Sequence, residues 1–465
     1  MKFSNVSVLN ADFSVSKGIY VETEGGVISY VSDQPPDGSP AVACAGMDCG
    51  SAPRVTSGAP AMTSGSVPGV TSSRLIMPAF YNAHTHSPMT LLRGYGENMV
   101  LQDWLEKKVF PFEDQLTGAD CYHAALLAMA ESFSHGIVSS SEQYFFCEDI
   151  LRAAIESGAK MNISRGISHF DGSLDRSRYR PYLESKKLYY DNHDTQNGRI
   201  RVDLALHAEY TATPALLEAI ADLSHETEAP VHTHISETKK EHEECKARHG
   251  GLTPAAVMAK AGVWDFGGLA AHCVWAEEAD AEIFAEKGVT AVSCPASNMK
   301  LASGIAPMPL FLDKGVNVAL GTDGTASNNS LNFFEELKLF SIAAKVRYGD
   351  PTLITAKQAL YAATQAGALA QGRENCGRIE QGARADFLVL DLASPSLNPV
   401  YELADNLVYA GSSRDILLTV CDGKVVYKRG EDGTAEFPTV DLERAIFEVT
   451  RAQRRILGAL PEENR

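Results

Sequence analysis

Eight short apolar runs alternate with amphipathic segments across most of this chain, and this alternation constrains the fold more than any other feature. The runs are LIMPAFYNAHTH, GIVSSSEQYFF, KMNISRGIS, RVDLALHAEY, PVHTHISE, GLAAHCVW, VTAVSCPASN and VNVALGTDG, at residues 75–86, 136–146, 160–168, 201–210, 230–237, 268–275, 289–298 and 316–324. Helical periodicity marks the segments between most of them, such as CYHAALLAMAESFSHG. Strands that alternate with helices indicate a parallel sheet, and eight such units predict a closed (β/α)8 barrel of the α/β class. An open doubly wound sheet is the alternative, although it rarely needs eight strands.

The two ends of the chain have a different pattern, with short strand-like runs and turns. We expect residues 1–74 and 381–436 to pair into a small β-sandwich beside a catalytic barrel at 75–380, and residues 437–465 to form a C-terminal helix. Residues 34–73 are rich in Gly, Ala, Ser and Pro and have neither strand nor helix periodicity. This composition predicts a disordered-looking surface insertion.

Composition excludes several classes of partner. The net charge of -18 argues against nucleic acid and anionic membranes, since both are bound by basic surfaces. Nine cysteines occur without a CxxC pair, which is typical of a reduced, intracellular chain. No signal peptide and no apolar run of about 18 residues is recognised. We therefore expect a cytoplasmic protein with a small-molecule partner; the oligomeric state is left open, and a homo-oligomer is compatible with the sequence.

Polar side chains follow several of the apolar runs, where the functional residues of a (β/α)8 barrel are found. These residues are His84 and His86 in run 1, His207 and Glu209 in run 4, His232, His234 and Glu237 in run 5, His272 in run 6 and Asp323 in run 8. Imidazoles and a carboxylate that converge in this way make a mixed N/O site suited to a zinc-like ion, with a position open for water. For His232 the alternative is an outer partner or a core histidine, and core packing is also the alternative for His272.

These motifs resemble those of the amidohydrolase superfamily, and more narrowly of its S-adenosylhomocysteine/5′-methylthioadenosine deaminases and related adenosine deaminases. The resemblance rests on NAHTHSPMTLLRG, WLEKKVFPFE, HISE, AAHCVW, PASNMKLASGIAP and GTDGTASNNSLNFFEE. It extends from about Leu75 to Leu390. Triazine hydrolases and guanine deaminases share much of this set, so the motifs are more specific for the superfamily than for the deaminase branch.

The resemblance implies a single divalent metal ion. In mononuclear relatives the two histidines of HxH, a strand-5 histidine and a strand-8 aspartate hold the metal, which corresponds here to His84, His86, His234 and Asp323. Zinc is the expected ion, with iron, manganese or nickel as alternatives. No lysine ends the fourth run, so the bridging carbamate of binuclear relatives is not expected.

The resemblance also assigns catalytic roles. Glu237 is expected to protonate the ring nitrogen beside the amine-bearing carbon, and His272 to orient the attacking water. Asp323 is expected to pass a proton to the departing ammonia. The chemistry is reasonable in itself, because a bound metal lowers the pKa of water from ~15.7 toward ~7 and a carboxylic acid can supply the ring proton.

Substrate contacts follow from the same resemblance. Trp104 is expected to line the pocket, Glu113 to bind the ribose hydroxyls, His207 to contact the purine and Arg165 to bind a homocysteine carboxylate. Composition alone would favour a helix-packing tryptophan and a solvated glutamate at the first two positions. A second carboxylate-binding arginine is expected among Arg176, Arg178 and Arg180, which cannot be aligned individually.

One departure from the family pattern concerns the fourth run. It continues HAEYT where relatives usually have His-Ser-Pro-Tyr, so Glu209 either tunes the pocket or faces away into a salt bridge. The function predicted from the sequence is hydrolytic deamination of a 6-aminopurine nucleoside or its thioether derivative: S-adenosylhomocysteine, methylthioadenosine, adenosine or 5′-deoxyadenosine. The first alternative is an aminohydrolase of guanine, a pterin or a triazine. The second is a non-catalytic assembly barrel, which would be expected to lose some of these residues.

Overall fold

The computed structural model describes residues 1–36 and 73–461. Most of the insertion expected at 34–73 lies outside the described residues. Within them the strands are β1 (Lys2–Leu9), β2 (Val15–Glu24), β3 (Val27–Ser32), β4 (Arg74–Pro78), β5 (Phe80–Thr85), β6 (Ile137–Tyr144), β7 (Lys160–Arg165), β8 (Ile200–Val202), β9 (Leu204–Ala205), β10 (Val231–Ile235), β11 (Gly268–His272), β12 (Val289–Ser293), β13 (Val318–Leu320), β14 (Phe387–Asp391), β15 (Ile416–Cys421), β16 (Lys424–Arg429) and β17 (Ala435–Glu436).

Helices follow most of the strands of the central region. Their bounds are α1 (Leu101–Trp104), α2 (Phe110–Glu113), α3 (Gly118–Ser134), α4 (Cys147–Ser157), α5 (Arg180–Asn192), α6 (Pro214–Thr227), α7 (Lys239–Arg248), α8 (Pro254–Lys260), α9 (Glu278–Lys287), α10 (Pro295–Lys300), α11 (Met308–Asp313), α12 (Phe333–Tyr348), α13 (Ala356–Ala363), α14 (Gln365–Ala370), α15 (Leu403–Tyr409) and α16 (Leu442–Ala459). None of the helices in the described ranges is long and apolar enough to cross a membrane.

Local sequence explains where several of these helices begin. Thr213 and Thr253 cap α6 and α8, and each accepts a hydrogen bond from the backbone N–H three residues on. A proline follows each threonine at the first helical position, where its missing N–H removes no helical hydrogen bond. Each Thr-Pro pair therefore fixes the first residue of its helix.

The central strands form two parallel sheets, as expected for alternating strands and helices. The first has the order β5-β6-β7-β8 and the second β13-β12-β11-β10-β9. Only Asp203 separates β8 from β9, and its N–H donates to the carbonyl of Ile163 in β7 (3.2 Å). At the other side, the N–H of Asp323, just after β13, donates to the carbonyl of His84 in β5 (3.0 Å). The two sheets are thus in contact at both sides.

Both chain ends contribute to a third, eight-stranded sheet with the order β17-β16-β15-β14-β4-β1-β2-β3. Its members surround a separate apolar cluster that includes Phe3, Val21 and Phe387. The main core lies between the parallel strands and their helices and includes Phe80 and Leu337. Both cores are fully buried.

One predicted strand is wrong in its extent. The first apolar run, 75–86, forms two strands that belong to different sheets, β4 and β5. Pro78 has no N–H to continue the ladder. The N–H of Ala79 still donates to Asp386, directly before β14 (3.2 Å), whereas the N–H of Phe80 donates to Gly136, directly before β6 (2.9 Å). The chain passes from the eight-stranded sheet to the parallel sheet at this point.

Candidate active site

Four side chains from three strand ends converge at one edge of the parallel sheets. His84 is in β5, His86 directly follows it, His234 is in β10 and Asp323 lies three residues after β13. Candidate ligand atoms of the three histidines lie within 4.8 Å of one another. Oδ1 of Asp323 is 3.4 Å from Nε2 of His84 and 3.3 Å from Nε2 of His86. The sequence-predicted metal ligands therefore meet in space.

Backbone carbonyls orient two of the imidazoles. Nδ1 of His86 lies 2.6 Å from the carbonyl of Gln143, and Nδ1 of His234 lies 2.7 Å from the carbonyl of His207. A carbonyl oxygen only accepts, so each Nδ1 is the donor. The two Nε2 atoms face each other at 3.3 Å.

The remaining imidazole has a histidine behind it. Nδ1 of His84 lies 2.8 Å from Nε2 of His232, and both side chains are buried. Nε2 of His84 is buried without a hydrogen-bond partner. His232 thus contacts a predicted ligand from the outer side, which is the arrangement of an outer partner. A buried, unpartnered imidazole nitrogen that faces two more imidazoles and a carboxylate fits a divalent cation.

Two serines hold Asp323 in its orientation. The hydroxyls of Ser297 (2.6 Å) and Ser327 (2.8 Å) donate to Oδ2, which leaves Oδ1 directed at the imidazoles. Burial opposes ionisation, but the neighbouring imidazoles of His84 and His86 keep the pKa of Asp323 well below its ordinary value. Neither serine was predicted from the sequence.

The two imidazoles beside Asp323 differ in their pKa values. Burial lowers the pKa of His84 to about 3. For His86 burial acts in the same direction, but the hydrogen bond to Asp323 overcomes it and raises the pKa to about 9.

Glu237 and His272 lie next to this cluster. Oε2 of Glu237 is 3.9 Å from Nε2 of His272, and Nδ1 of His272 lies 2.9 Å from Oδ1 of Asn298. Burial raises the pKa of Glu237. A carboxyl group with a raised pKa can hold a proton near neutral pH and donate it, as a general acid must.

A cavity of about 390 Å³ opens above these residues. Its lining includes every sequence-predicted site residue except His84, which is buried beneath it: His86, Trp104, Glu113, Arg165, His207, His234, Glu237, His272 and Asp323. Much of the remaining wall is apolar, as in most small-molecule sites.

The predicted substrate residues have defined partners within this cavity. The Trp104 indole N–H donates to the carbonyl of Tyr95 (3.3 Å), and Nδ1 of His207 lies 3.1 Å from the hydroxyl of Thr211. The hydroxyl of Tyr144 donates to Oε1 of Glu113 (2.5 Å). Burial raises the pKa of Glu113 to about 7, although the Tyr144 hydrogen bond opposes the shift.

Sequence analysis missed several residues of this lining. Gln143 and Tyr144 end β6, and Phe145 follows them. The rule that strand ends carry functional groups, when applied to the second apolar run, would have found them. Phe170 lies in a loop with no periodic pattern, so no sequence signal indicated its position at the cavity.

Glu209, the residue that departs from the family pattern, lies outside the cavity. This residue is buried, is absent from the cavity lining, and pairs with Arg248 and with Nε2 of His249 (2.8 Å). It faces away from the cavity into a salt bridge. It also forms, with Cys245 and His249, a group whose ligand atoms lie within 4.8 Å of one another. The Arg248 guanidinium already neutralises its carboxylate, which disfavours a cation at that position.

The expected second arginine is not part of the site. Among the described residues that line the cavity, Arg165 is the only lysine or arginine. Arg176 pairs with Asp222 (2.6 Å), and Arg178 is an exposed side chain near Asp175. Arg180 lies one residue before the cavity-lining Pro181 but is itself directed to solvent. The expectation of a second carboxylate-binding arginine is therefore not met by these three.

Comparisons with known proteins identify the family of this chain. The amidohydrolase family model matches residues 75–426. A relative from Dictyoglomus thermophilum named 5-methylthioadenosine/S-adenosylhomocysteine deaminase is 38% identical over 379 residues, which cover 82% of this chain and 87% of the relative. A relative of the same name from Caldanaerobacter subterraneus subsp. tengcongensis is 36% identical over 460 residues and covers 98% of both chains. A crystal structure of an adenosine deaminase from Xanthomonas campestris with bound zinc is similar with a TM-score of 0.84, at 28% identity and 98% coverage of each chain. The predicted resemblance is confirmed, and the chain belongs to the amidohydrolase family.

Proposed function

We propose that this chain is a metal-dependent deaminase that hydrolyses the 6-amino group of a purine nucleoside or its 5′-thioether derivative and releases ammonia. One observation carries the proposal: the unpartnered Nε2 of His84 faces the other predicted ligands at the floor of the cavity that holds Glu237 and His272. The names of the relatives support the substrate class.

The proposal includes a finer description of the fold. The two parallel sheets, in contact at both sides, together make the (β/α)8 barrel predicted at 75–380, except that β4, at the start of this range, belongs to the eight-stranded sheet. The eight-stranded sheet of β1–β4 and β14–β17 is the counterpart of the β-sandwich predicted from 1–74 and 381–436, and α16 is the counterpart of the helix predicted at 437–465. The seven cysteines of the described residues are buried and free, which supports a cytoplasmic location.

His84, His86, His234 and Asp323 would hold the divalent ion. Three nitrogens and one carboxylate oxygen suit zinc and leave a position open, and the zinc-bound relative of known structure supports that choice. When bound, such an ion lowers the pKa of water toward neutrality. The hydrogen bonds from Nδ1 of His86 and His234 to carbonyls direct each Nε2 to the ion.

The remaining steps belong to side chains of this chain. Asn298 fixes the Nδ1 proton of His272, so Nε2 can accept a hydrogen bond from the attacking water and orient it toward C6 of the purine. Glu237 holds a proton on its carboxyl group and donates it to N1 as the C6–N1 double bond is lost, and the first proton of the attacking water restores that carboxyl group. Asp323 then accepts a proton from the added oxygen and passes it to the amino group, which leaves as ammonia.

Substrate binding is assigned to the cavity wall. Trp104 packs against the nucleoside, His207 contacts the purine, and Arg165 lies where the 5′ substituent would extend. Glu113, held by Tyr144, accepts hydrogen bonds from the 2′ and 3′ hydroxyls. A free base offers no hydroxyls to Glu113, which favours a nucleoside over guanine or a pterin.

The test is an ammonia-release screen of the zinc-loaded protein over purine nucleosides, their 5′-thioethers, free guanine, pterins and triazines. Release from 6-aminopurine nucleosides, abolished by a chelator and in His234→Ala, is expected. Release from guanine, pterins or triazines alone would contradict the assignment. Release from none, with the metal bound, would contradict the enzymatic role as well.

A further inference from the structure

We propose that Glu184 makes the cavity selective for nucleosides with an uncharged 5′ substituent, because it occupies and neutralises the cation that an amino-acid tail would need. The inference rests on the proposed function and specifies its substrate class. Arg165 ends β7 and lines the cavity, whereas Glu184 lies on α5 behind it. Nε of Arg165 donates to Oε2 of Glu184 at 3.0 Å.

Two of the five guanidinium N–H groups of Arg165 have partners within the protein. Its guanidinium also donates to the carbonyl of Gly166 and lies 5.0 Å from the ring centroid of Phe145. Its side chain is only 15% exposed. A bidentate carboxylate needs two parallel N–H groups in the guanidinium plane, and here one edge of that plane is directed at Glu184.

A carboxylate at the 5′ end of a ligand would gain little net attraction in this position. It would exchange one carboxylate for another on Arg165 and would lie beside the charge of Glu184. If the ligand carboxylate replaced Glu184 as the partner of Arg165, the new ion pair would not offset the free energy needed to remove that carboxylate from water. Among the described residues no second lysine or arginine lines the cavity to offset this cost.

Arg180 does not restore the missing positive charge. Its Nε donates to Oε1 of Glu184 at 2.6 Å, so it holds the carboxylate in place. Its own side chain is 84% exposed and lies outside the cavity lining. Solvent and salt screen the interactions of a charge in such a position.

The wall near Arg165 is instead suited to an apolar group. Phe145, Phe170 and Pro181 all line the cavity. Pro181 precedes Glu184 by about one helical turn on α5, so the apolar wall and the blocking carboxylate come from the same helix. A methylthio group would bury its surface here without displacing an ion pair.

The experiment compares 5′-methylthioadenosine with S-adenosylhomocysteine in the zinc-loaded protein and in Glu184→Gln. The wild-type kcat/KM is expected to be at least about tenfold higher for the methylthio nucleoside. Gln keeps a hydrogen-bond acceptor for Arg165 but removes the charge. Glu184→Gln should therefore raise kcat/KM for the amino-acid-tailed nucleoside by about five- to tenfold, through KM, and change the methylthio value less than about twofold.

Two further variants identify the cause. Glu226 lies on α6, outside the cavity lining, and pairs with Lys186 of α5, the helix that carries Glu184. Glu226→Gln removes an equal charge there and should leave the ratio of kcat/KM for the two substrates unchanged. In Arg165→Gln/Glu184→Gln the gain should disappear, since it requires a free Arg165. Equal kcat/KM for both nucleosides in the wild type, or an unchanged ratio in Glu184→Gln, would overturn this inference while the deaminase function stands. No ammonia from either nucleoside would overturn the proposed function, and this inference with it.

Discussion

Strand β7 has a positively charged residue at each end, and the two ends differ in whether the buried polar groups around them have hydrogen-bond and ion-pair partners. Lys160 begins the strand and is fully buried, with Nζ 2.6 Å from Asp386 and in contact with Asp422. Arg165 ends it beside the cavity. At the first end the polar groups satisfy one another: Tyr81 donates to Asp386 (2.6 Å), and Arg384 pairs with Asp422 (2.6 Å).

At the cavity end the polar groups are also buried, but their ligand atoms converge on one point. Nε2 of His84 has no partner, and Nε2 of His86 and His234 face each other. Buried polar groups ordinarily find partners, so the convergence of unsatisfied ones is the signal of a ligand. Burial alone does not distinguish a functional cluster from a structural one; the state of the hydrogen-bond partners does.

The largest effect is expected at the cavity end. Glu237→Gln preserves shape but cannot donate the carboxylic proton, so kcat should fall by ~10²–10⁴-fold. Metal content and melting temperature should stay close to wild type, because Glu237 is not a predicted ligand. Steady-state kinetics with elemental analysis provides the test. Turnover within twofold of wild type would remove Glu237 from the mechanism.

At the other end of β7 the effect should be on stability. Lys160→Met leaves Asp386 buried with neutral donors only, and breaking a buried ion pair in this way costs about 3–5 kcal/mol. The exposed pair of Lys186 and Glu226 is the control, and Lys186→Met should cost no more than about 1 kcal/mol. Urea denaturation measures both, with kcat of the folded fraction unchanged. Equal stability of the two variants would mean that the Lys160 network contributes no more to stability than an exposed ion pair.

Glu113 is expected to give an intermediate effect that depends on pH. Its pKa of about 7 is above the ordinary value, so the carboxyl is protonated below neutrality and ionised above it. The ionised form accepts ribose hydroxyls more strongly, so KM should fall as the pH rises through about 7. Glu113→Ala should lower kcat/KM at least about tenfold, since charged hydrogen bonds contribute about 1.5–3 kcal/mol.

A 2′,3′-dideoxy nucleoside is the control for that prediction. It offers no hydroxyls to Glu113, so the variant should lose far less activity on it, and its KM should not follow the same pH profile. Equal losses on both nucleosides would show that Glu113 is structural.

The smallest effect should come from Glu209, which sequence reasoning placed near the site. Glu209→Gln keeps a hydrogen bond to the partly exposed Arg248 but loses the charge, which should cost about 1 kcal/mol of stability. Its kcat/KM should be within about twofold of wild type. A drop of more than tenfold in kcat/KM at unchanged melting temperature would show that Glu209 acts on the active site.

The sequence predicted the convergence of residues whose position at a strand end can be read from the apolar runs themselves. His84, His86, His234 and Asp323 each follow an apolar run, and parallel strands bring such positions to one edge. The amphipathic stretches that predicted helices between those runs likewise depend on local periodicity alone. These features could be found without knowing any contact.

Other features depend on contacts between distant segments, which carry no local pattern. No local pattern marks Ser297 and Ser327, because their role depends on the folded chain bringing Asp323 between them. The pairing of Glu184 with Arg165 requires a helix to pack against a strand end. The division of the first apolar run at Pro78 could have been suspected from the proline, but its new partner, Gly136, is distant in the sequence.

The position of β4 has a consequence for the order in which this protein can be made. β4 lies between β1 and β14, with Leu75 paired to Ser7 on one side and Leu390 on the other. A ribosome that works from the N-terminus releases β14 only after every residue of the barrel has been synthesised. Until then β4 can pair with β1 only, and β5 continues from this half-paired strand. Lys160 also lacks its partner Asp386. Metal binding is therefore expected to be among the last steps of maturation, after translation of the strands is complete.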